Sequence, residues 1–169
     1  MFLHLFVVLL VVTSFVILLS DKIDFKIIQG AIMSKTKKIA IVRKLLFYIF
    51  CFLVMYITLF SRKSPTGQNM LMHPFWEYIA FLRNMCWATA HDIVLNILLF
   101  VPYGFLFPTA FHKKKKYTVV AGFVFTLFIE TSQLLFKLGW AEVDDIFNNT
   151  LGAFIGFIIY QRIERKVVE

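Results

Sequence analysis

Two cysteines, four prolines and seven glycines are few for 169 residues, and only 17% of the chain is charged. Two cysteines make no disulfide framework. Cys51 falls in an apolar stretch and Cys86 in a connection, too far apart in depth to pair. The sequence holds no glycine-rich phosphate loop, no internal repeat and no low-complexity tract. It also lacks an H-E-x-x-H, G-x-S-x-G or D-D-x-x-D block and any nucleic-acid-binding motif. The scarcity of charge has a counterpart: 60% of the residues are hydrophobic and 21 are phenylalanine, against roughly 45–50% apolar in a soluble domain. This composition excludes an ordinary soluble enzyme and defines an integral membrane protein.

A membrane span takes ~20 mostly apolar residues, and five stretches approach that length: 2–19, 39–60, 93–111, 117–136 and 146–160. The expected fold is therefore all-α, a polytopic bundle of about five transmembrane helices. The first stretch lacks a basic leading region and an A-x-A-like cleavage site, so it reads as a retained span rather than a signal peptide. Residues 1–38 form an N-terminal span with a basic connection, 39–161 the main membrane domain, and 162–169 a basic tail. Between the second and third spans, "MHPFWEYIAFLRNMCW" mixes aromatics with few charges, the pattern of an interfacial helix.

Charge placement predicts orientation. Fourteen of the eighteen Lys and Arg residues lie in the 20–44 connection, the 112–116 turn and the tail, on one side of the five-span arrangement. That side is expected to be cytoplasmic, with the N-terminus outside and the C-terminus in the cytoplasm. The excess of +8 is then accounted for by anionic lipid headgroups, and no nucleic acid is needed.

An ionisable residue inside a span is a functional-site candidate by default, because burying its charge in lipid costs ~2.5–3.5 kcal/mol on insertion scales. Here such residues are not scattered. Glu130 and Gln133 share a helix face at i, i+3, Asp92 and Asn96 at i, i+4, and Asp145 pairs similarly with Asn148 or Asn149. Asn96, Glu130 and Asn149 fall at similar depth, near the outer ends of three spans, so together they outline an outward-facing polar pocket. Asp92 and Asp144 read equally well as helix N-caps, and Asn96, Gln133 and Asn149 as interhelical hydrogen bonds. Gly152 and Gly156 form a G-x-x-x-G face that admits another helix or a second copy of the chain. Pro102 and Gly104 interrupt the third span, where a kink is expected.

The ordered blocks "NILLFVPYGFLFP", "IETSQLL" and "DDIFNNTLGAFIGF" resemble the VanZ-like family of small bacterial membrane proteins, over roughly residues 56–160. The resemblance makes Asn96, Glu130, Gln133, Asp145, Asn149 and Gly152 signature positions, with Arg62 and His73 matching earlier elements. It departs ahead of the acidic block: Gly139 stands about where the family has an Arg, and Glu142 replaces the first acid. The family takes its name from a member associated with low-level resistance to the glycopeptide teicoplanin.

Two functions compete. In one, the pocket of Asn96, Glu130, Gln133, Asp144, Asp145, Asn149 and Arg62 meets a lipid-linked cell-wall precursor or a glycopeptide and protects the envelope, with no cofactor. In the other, the chain is a membrane enzyme, a metal-assisted hydrolase or transferase on a lipid-linked substrate. Glu130, Asp144 and Asp145 would then offer oxygen ligands to a divalent cation such as Mg²⁺ or Ca²⁺, with Glu130, Asp145 or His91 as catalytic acid or base.

Overall fold

The computed structural model describes residues 35–60, 70–71, 74–84, 87–136, 138 and 141–168. The expected span at 2–19, Arg62, His73, Cys86 and Gly139 lie outside the described residues. In chain order the elements are α1 (Lys35–Phe60), β1 (Met70–Leu71), α2 (Trp76–Asn84), α3 (Trp87–Ala110), a 3₁₀ turn (His112–Tyr117), α4 (Thr118–Phe136), β2 (Ala141–Glu142) and α5 (Val143–Val168). The fold is all-α apart from one short parallel pairing, Met70 with Ala141 and Leu71 with Glu142. Among the described residues three stretches are long and apolar enough to cross a membrane: Ile39–Leu59, Thr89–Ala110 and Lys114–Phe136. They coincide with the second, third and fourth expected spans. α5 occupies the fifth, but it carries Asp144 and Asp145 in its first turn and Arg165 and Lys166 in its last. Its uncharged middle, residues 146–161, reaches only ~24 Å at 1.5 Å per residue, short of the ~30 Å hydrocarbon core.

Lipid is as apolar as leucine, so helices in a membrane associate through close packing and polar contacts rather than through hydrophobic burial. The outward faces accordingly expose large apolar side chains such as Phe52, Val120, Phe128 and Leu135, while small residues gather inside. α3 and α5 make the most extensive helix pair. A methyl group placed on Gly152 would stand 2.1 Å from the Ile97 carbonyl oxygen, one on Gly156 2.0 Å from that of Val101, and one on Gly104 2.0 Å from that of Ala153. Only glycine permits this backbone-to-backbone approach. Gly122 brings α4 to the same crossing, where an added methyl would lie 2.7 Å from Ala153 Cβ. The G-x-x-x-G face is thus filled by α3 of the same chain, and a second copy would have to dock elsewhere.

α3 stays helical through Pro102 and Pro108. Proline at 102 removes one donor, and the close neighbouring helix holds the rest of the ladder in place. An aromatic layer ties α1 to this core: Phe47 meets Tyr103 at 5.2 Å and Phe107 at 5.6 Å, and Tyr103 stacks on Phe125 of α4 at 5.3 Å. Each such pair contributes ~0.5–1.5 kcal/mol beyond burial.

The lysine-rich 3₁₀ turn is pinned to α5. Lys115 Nζ donates to both carboxylate oxygens of Glu164, at 3.1 and 2.8 Å, and Tyr160 donates its hydroxyl to Glu164 Oε1 at 2.8 Å. The Lys115 ammonium, then the Tyr160 hydroxyl, hold the Glu164 carboxyl below its usual value. A lowered folded-state value stabilises the docked turn above the ordinary Glu range near ~4.3 and loses that contribution as pH falls through it. In unfolding experiments on wild type and Glu164→Gln, the difference in stability should persist from neutral pH to about pH 4 and then disappear. A difference that ignores pH would remove the charge from this account.

Candidate functional site

The site lies at the end of the bundle opposite the 3₁₀ turn, and the block "DDIFNN" at the start of α5 organises it. Residues four apart share a helix face, so the block holds two pairs about 100° apart. Asp144 and Asn148 form one pair. Asp144 Oδ1 accepts the Phe75 backbone N–H, and Asn148 Oδ1 accepts the Tyr78 hydroxyl, which ties α2 and the turn before it onto α5. Phe75 sits at φ 64, a left-handed conformation costing a non-glycine residue ~1–3 kcal/mol. The Asp144 bond and the ring contacts of Phe75 with Phe147 and Tyr78, at 5.7 and 6.1 Å, hold it there.

Asp145 and Asn149 form the other pair, and it faces the spans. Asp145 Oδ1 accepts from Asn96 Nδ2 of α3, and Asn149 Nδ2 donates to Thr126 Oγ1 of α4 at 2.8 Å. Four adjacent polar residues thus join α5 to three separate elements. Asn96, Asp144, Asp145, Asn148 and Asn149 are all buried. Asp144 is the second residue of α5 and Asp92 the sixth of α3, so neither is an N-cap; Asp92 is exposed.

α4 supplies the remaining wall. Thr126, Glu130 and Gln133 lie along one face of it and are buried. Glu130 Oε2 accepts the Glu142 backbone N–H at 3.1 Å. Gln133 Nε2 donates to the Thr58 carbonyl at 3.2 Å. Thr58 is among the last four residues of α1, whose carbonyls have no partner inside the helix. Because a carbonyl only accepts, this bond fixes the Gln133 amide and turns Oε1 away from Thr58. Gln133 Oε1 and Asn149 Oδ1 are buried and have no hydrogen-bond partner among the described residues. α4 ends just beyond, where Leu138 N–H closes onto the Gln133 carbonyl at 3.0 Å.

Asn96, Glu130, Gln133, Asp144, Asp145 and Asn149, all selected from the sequence, thus fall at this end, whereas Arg62 lies outside the described residues. His91 lies about 140° around α3 from Asn96, with Nδ1 3.3 Å from Asp92 Oδ1, and so does not share the Asn96 face. Glu130, Asp144 and Asp145 each accept from a different protein donor. Among the described residues no group of three or more His, Cys, Asp and Glu side chains is disposed to hold a metal ion. Thr58, Phe75, Tyr78 and Thr126 were not foreseen. Only Thr126 left a legible trace, through its i, i+4, i+7 spacing with Glu130 and Gln133.

These features define a polytopic helical membrane protein whose spans are locked at one end by a buried acid and amide cluster. Residues 47–164 match the VanZ/LLP1 family, and the chain belongs to that family. It is similar to Protein VanZ of Enterococcus faecium, with 29% identity over 73 residues, covering 41% of this chain and 44% of that protein. The match thus spans less than half the length of this relative. No solved structure matches the chain.

Proposed function

We propose that this protein sits in a bacterial cytoplasmic membrane with its acid and amide cluster facing the cell exterior, and that the cluster receives a lipid-linked or amphiphilic molecule. Its effect is to protect the envelope, as low-level resistance to a teicoplanin-type glycopeptide. The observation that carries this reading is the row of buried acceptors along α4 and α5. Thr126 and Gln133 are about 10 Å apart on α4, Glu130 lies between them, and Gln133 Oε1 and Asn149 Oδ1 lack donors among the described residues. An unsatisfied buried acceptor costs ~1–3 kcal/mol, which a ligand bearing hydroxyl or ammonium groups would recover.

Orientation rests on the position of the lysine-rich turn. Reporter fusions after Lys116 should be cytoplasmic and those after Asp144 extracytoplasmic; the opposite result at either point breaks the arrangement. Function is tested by expressing the chain in a teicoplanin-susceptible bacterium. The minimal inhibitory concentration should rise with wild type and return to the host value with Glu130→Gln, at equal membrane abundance. Arg165→Ala, exposed at the other end, should leave it raised. Loss with Arg165→Ala and not with Glu130→Gln would place the working surface on the wrong side for this reading.

A further inference from the structure

The end of the bundle opposite the acid and amide cluster carries a second set of charges that the proposed function does not use. Three elements converge there. Arg43 and Lys44 of α1, Lys114 and Lys116 of the turn, and Arg162, Arg165 and Lys166 of α5 are all exposed. Asp144 and Asp145 lie at the far end of α5, so among the described residues at this end of the three elements the one carboxylate is Glu164, and it is occupied by Lys115 and Tyr160. Among the described residues, the other cations here therefore have no acid to neutralise them.

These cations are not equivalent. Lys44 Nζ stands 5.9 Å from the centre of the Phe111 ring, immediately before the 3₁₀ turn. His112 Nδ1 lies 3.2 Å from the Tyr160 hydroxyl and 3.7 Å from Glu164 Oε1, and Arg43 immediately precedes Lys44 on α1. Arg43, Lys44 and His112 are thus gathered from two elements around one junction, held by the Lys115–Glu164 pair. Arg165 and Lys166 make no comparable contact.

Below the junction the surface changes character along a single face. Lys44, Tyr48, Phe52 and Tyr56 follow one another at four-residue spacing, so they form one stripe, and Tyr48, Phe52 and Tyr56 are 57%, 68% and 54% exposed. Tyr48 also packs edge-on against Phe111 at 6.2 Å. A cationic head over a long apolar stripe is complementary to an anionic head on an acyl chain.

We infer that the junction of Arg43, Lys44 and His112 seats the phosphodiester headgroup of an anionic phospholipid, with an acyl chain lying along Tyr48, Phe52 and Tyr56. The site is independent of the polar cluster at the other end. The Lys115–Glu164 pair acts as a positioning contact that pins the turn to α5, while Lys44 over the Phe111 ring brings α1 to it.

The test uses the full chain purified in mild detergent, with thermal unfolding and native mass spectrometry as readouts. Phosphatidylglycerol should raise the unfolding temperature of wild type and remain bound, whereas phosphatidylcholine and inorganic phosphate should do neither. Arg43→Gln with Lys44→Gln should weaken phosphatidylglycerol binding about 30-fold, from ~1 kcal/mol per basic residue at a charged lipid. Arg165→Gln with Lys166→Gln removes the same charge and should weaken it less than about fivefold. Equal losses in the two double variants would show diffuse attraction and overturn the site. So would stabilisation by inorganic phosphate alone, or undiminished lipid binding without Arg43 and Lys44. Should the first double variant fail to fold, Lys44→Gln alone, at an exposed position, carries the same comparison. Glycopeptide susceptibility is not read in this experiment, so its outcome is separate from that of the proposed function.

Discussion

Gly152→Leu should reduce the recovery of folded, monodisperse protein in mild detergent to background. Even the first carbon of a side chain would stand 2.1 Å from the Ile97 carbonyl oxygen and 3.0 Å from Phe100 Cβ. Overpacking against side chains costs ~1–3 kcal/mol because rotamers can shift. Here the obstacle is helix backbone, which moves only if α3 and α5 separate. Separation would also release Gly104 and Gly156 from their close approach and pull Asp145 off Asn96, so the penalty should exceed ~3 kcal/mol, a large part of a typical 5–15 kcal/mol stability. Gly152→Ala should fall between wild type and the leucine variant, since its Cβ already makes the clash. Phe154→Leu, on the exposed side of the same helix, should be recovered like wild type. Normal yield and an unchanged unfolding temperature for Gly152→Leu would mean that α3 and α5 do not cross at these glycines.

The glycine crossing was legible in the sequence as a spacing, because small residues four apart can only mark one helix face. What the spacing could not say is which partner fills that face, since a second copy and a neighbouring span satisfy it equally. The charged positions behaved similarly. Glu130, Gln133, Asn96, Asp145 and Asn149 stood out because polar groups in apolar runs are costly, and they do gather at one end of the bundle. Their pairing was not legible: Glu130 takes a backbone N–H from Glu142 and Asp145 takes Asn96. Backbone donors carry no sequence signature, and the pairing of Met70 with Ala141 that accompanies the Glu142 contact joins segments about seventy residues apart. Tyr78 was hidden for the same reason, as an aromatic in an aromatic-rich segment. Asp144 was misleading in a different way, because an acid at a helix start fits an N-cap, whereas its partner is the strained Phe75 turn.

The sharpest separation of tether from binding group comes at Asp145. Asp145→Ala leaves Asn96 Nδ2 buried without its acceptor, and the loss should be ~1–3 kcal/mol. A cycle with Asn96→Ala should return a coupling of about 1–2 kcal/mol, within the 0.5–3 kcal/mol of residues in direct contact, read as shifts in thermal or denaturant unfolding of the purified protein. Asp145→Asn is the informative member of the series. Its Oδ1 still accepts from Asn96, so the bundle should fold with most of its stability, while the negative charge at the mouth of the cluster is gone. If the cluster recognises a hydroxyl- or ammonium-bearing ligand through that charge, Asp145→Asn should lose glycopeptide protection as completely as Asp145→Ala does, though only Asp145→Ala is markedly destabilised. Full protection with Asp145→Asn would reduce the carboxylate to a structural tether between α3 and α5, and the binding reading of this end would fail. Loss of coupling in the cycle, with Asn96→Ala and Asp145→Ala strictly additive, would show instead that the two side chains do not meet.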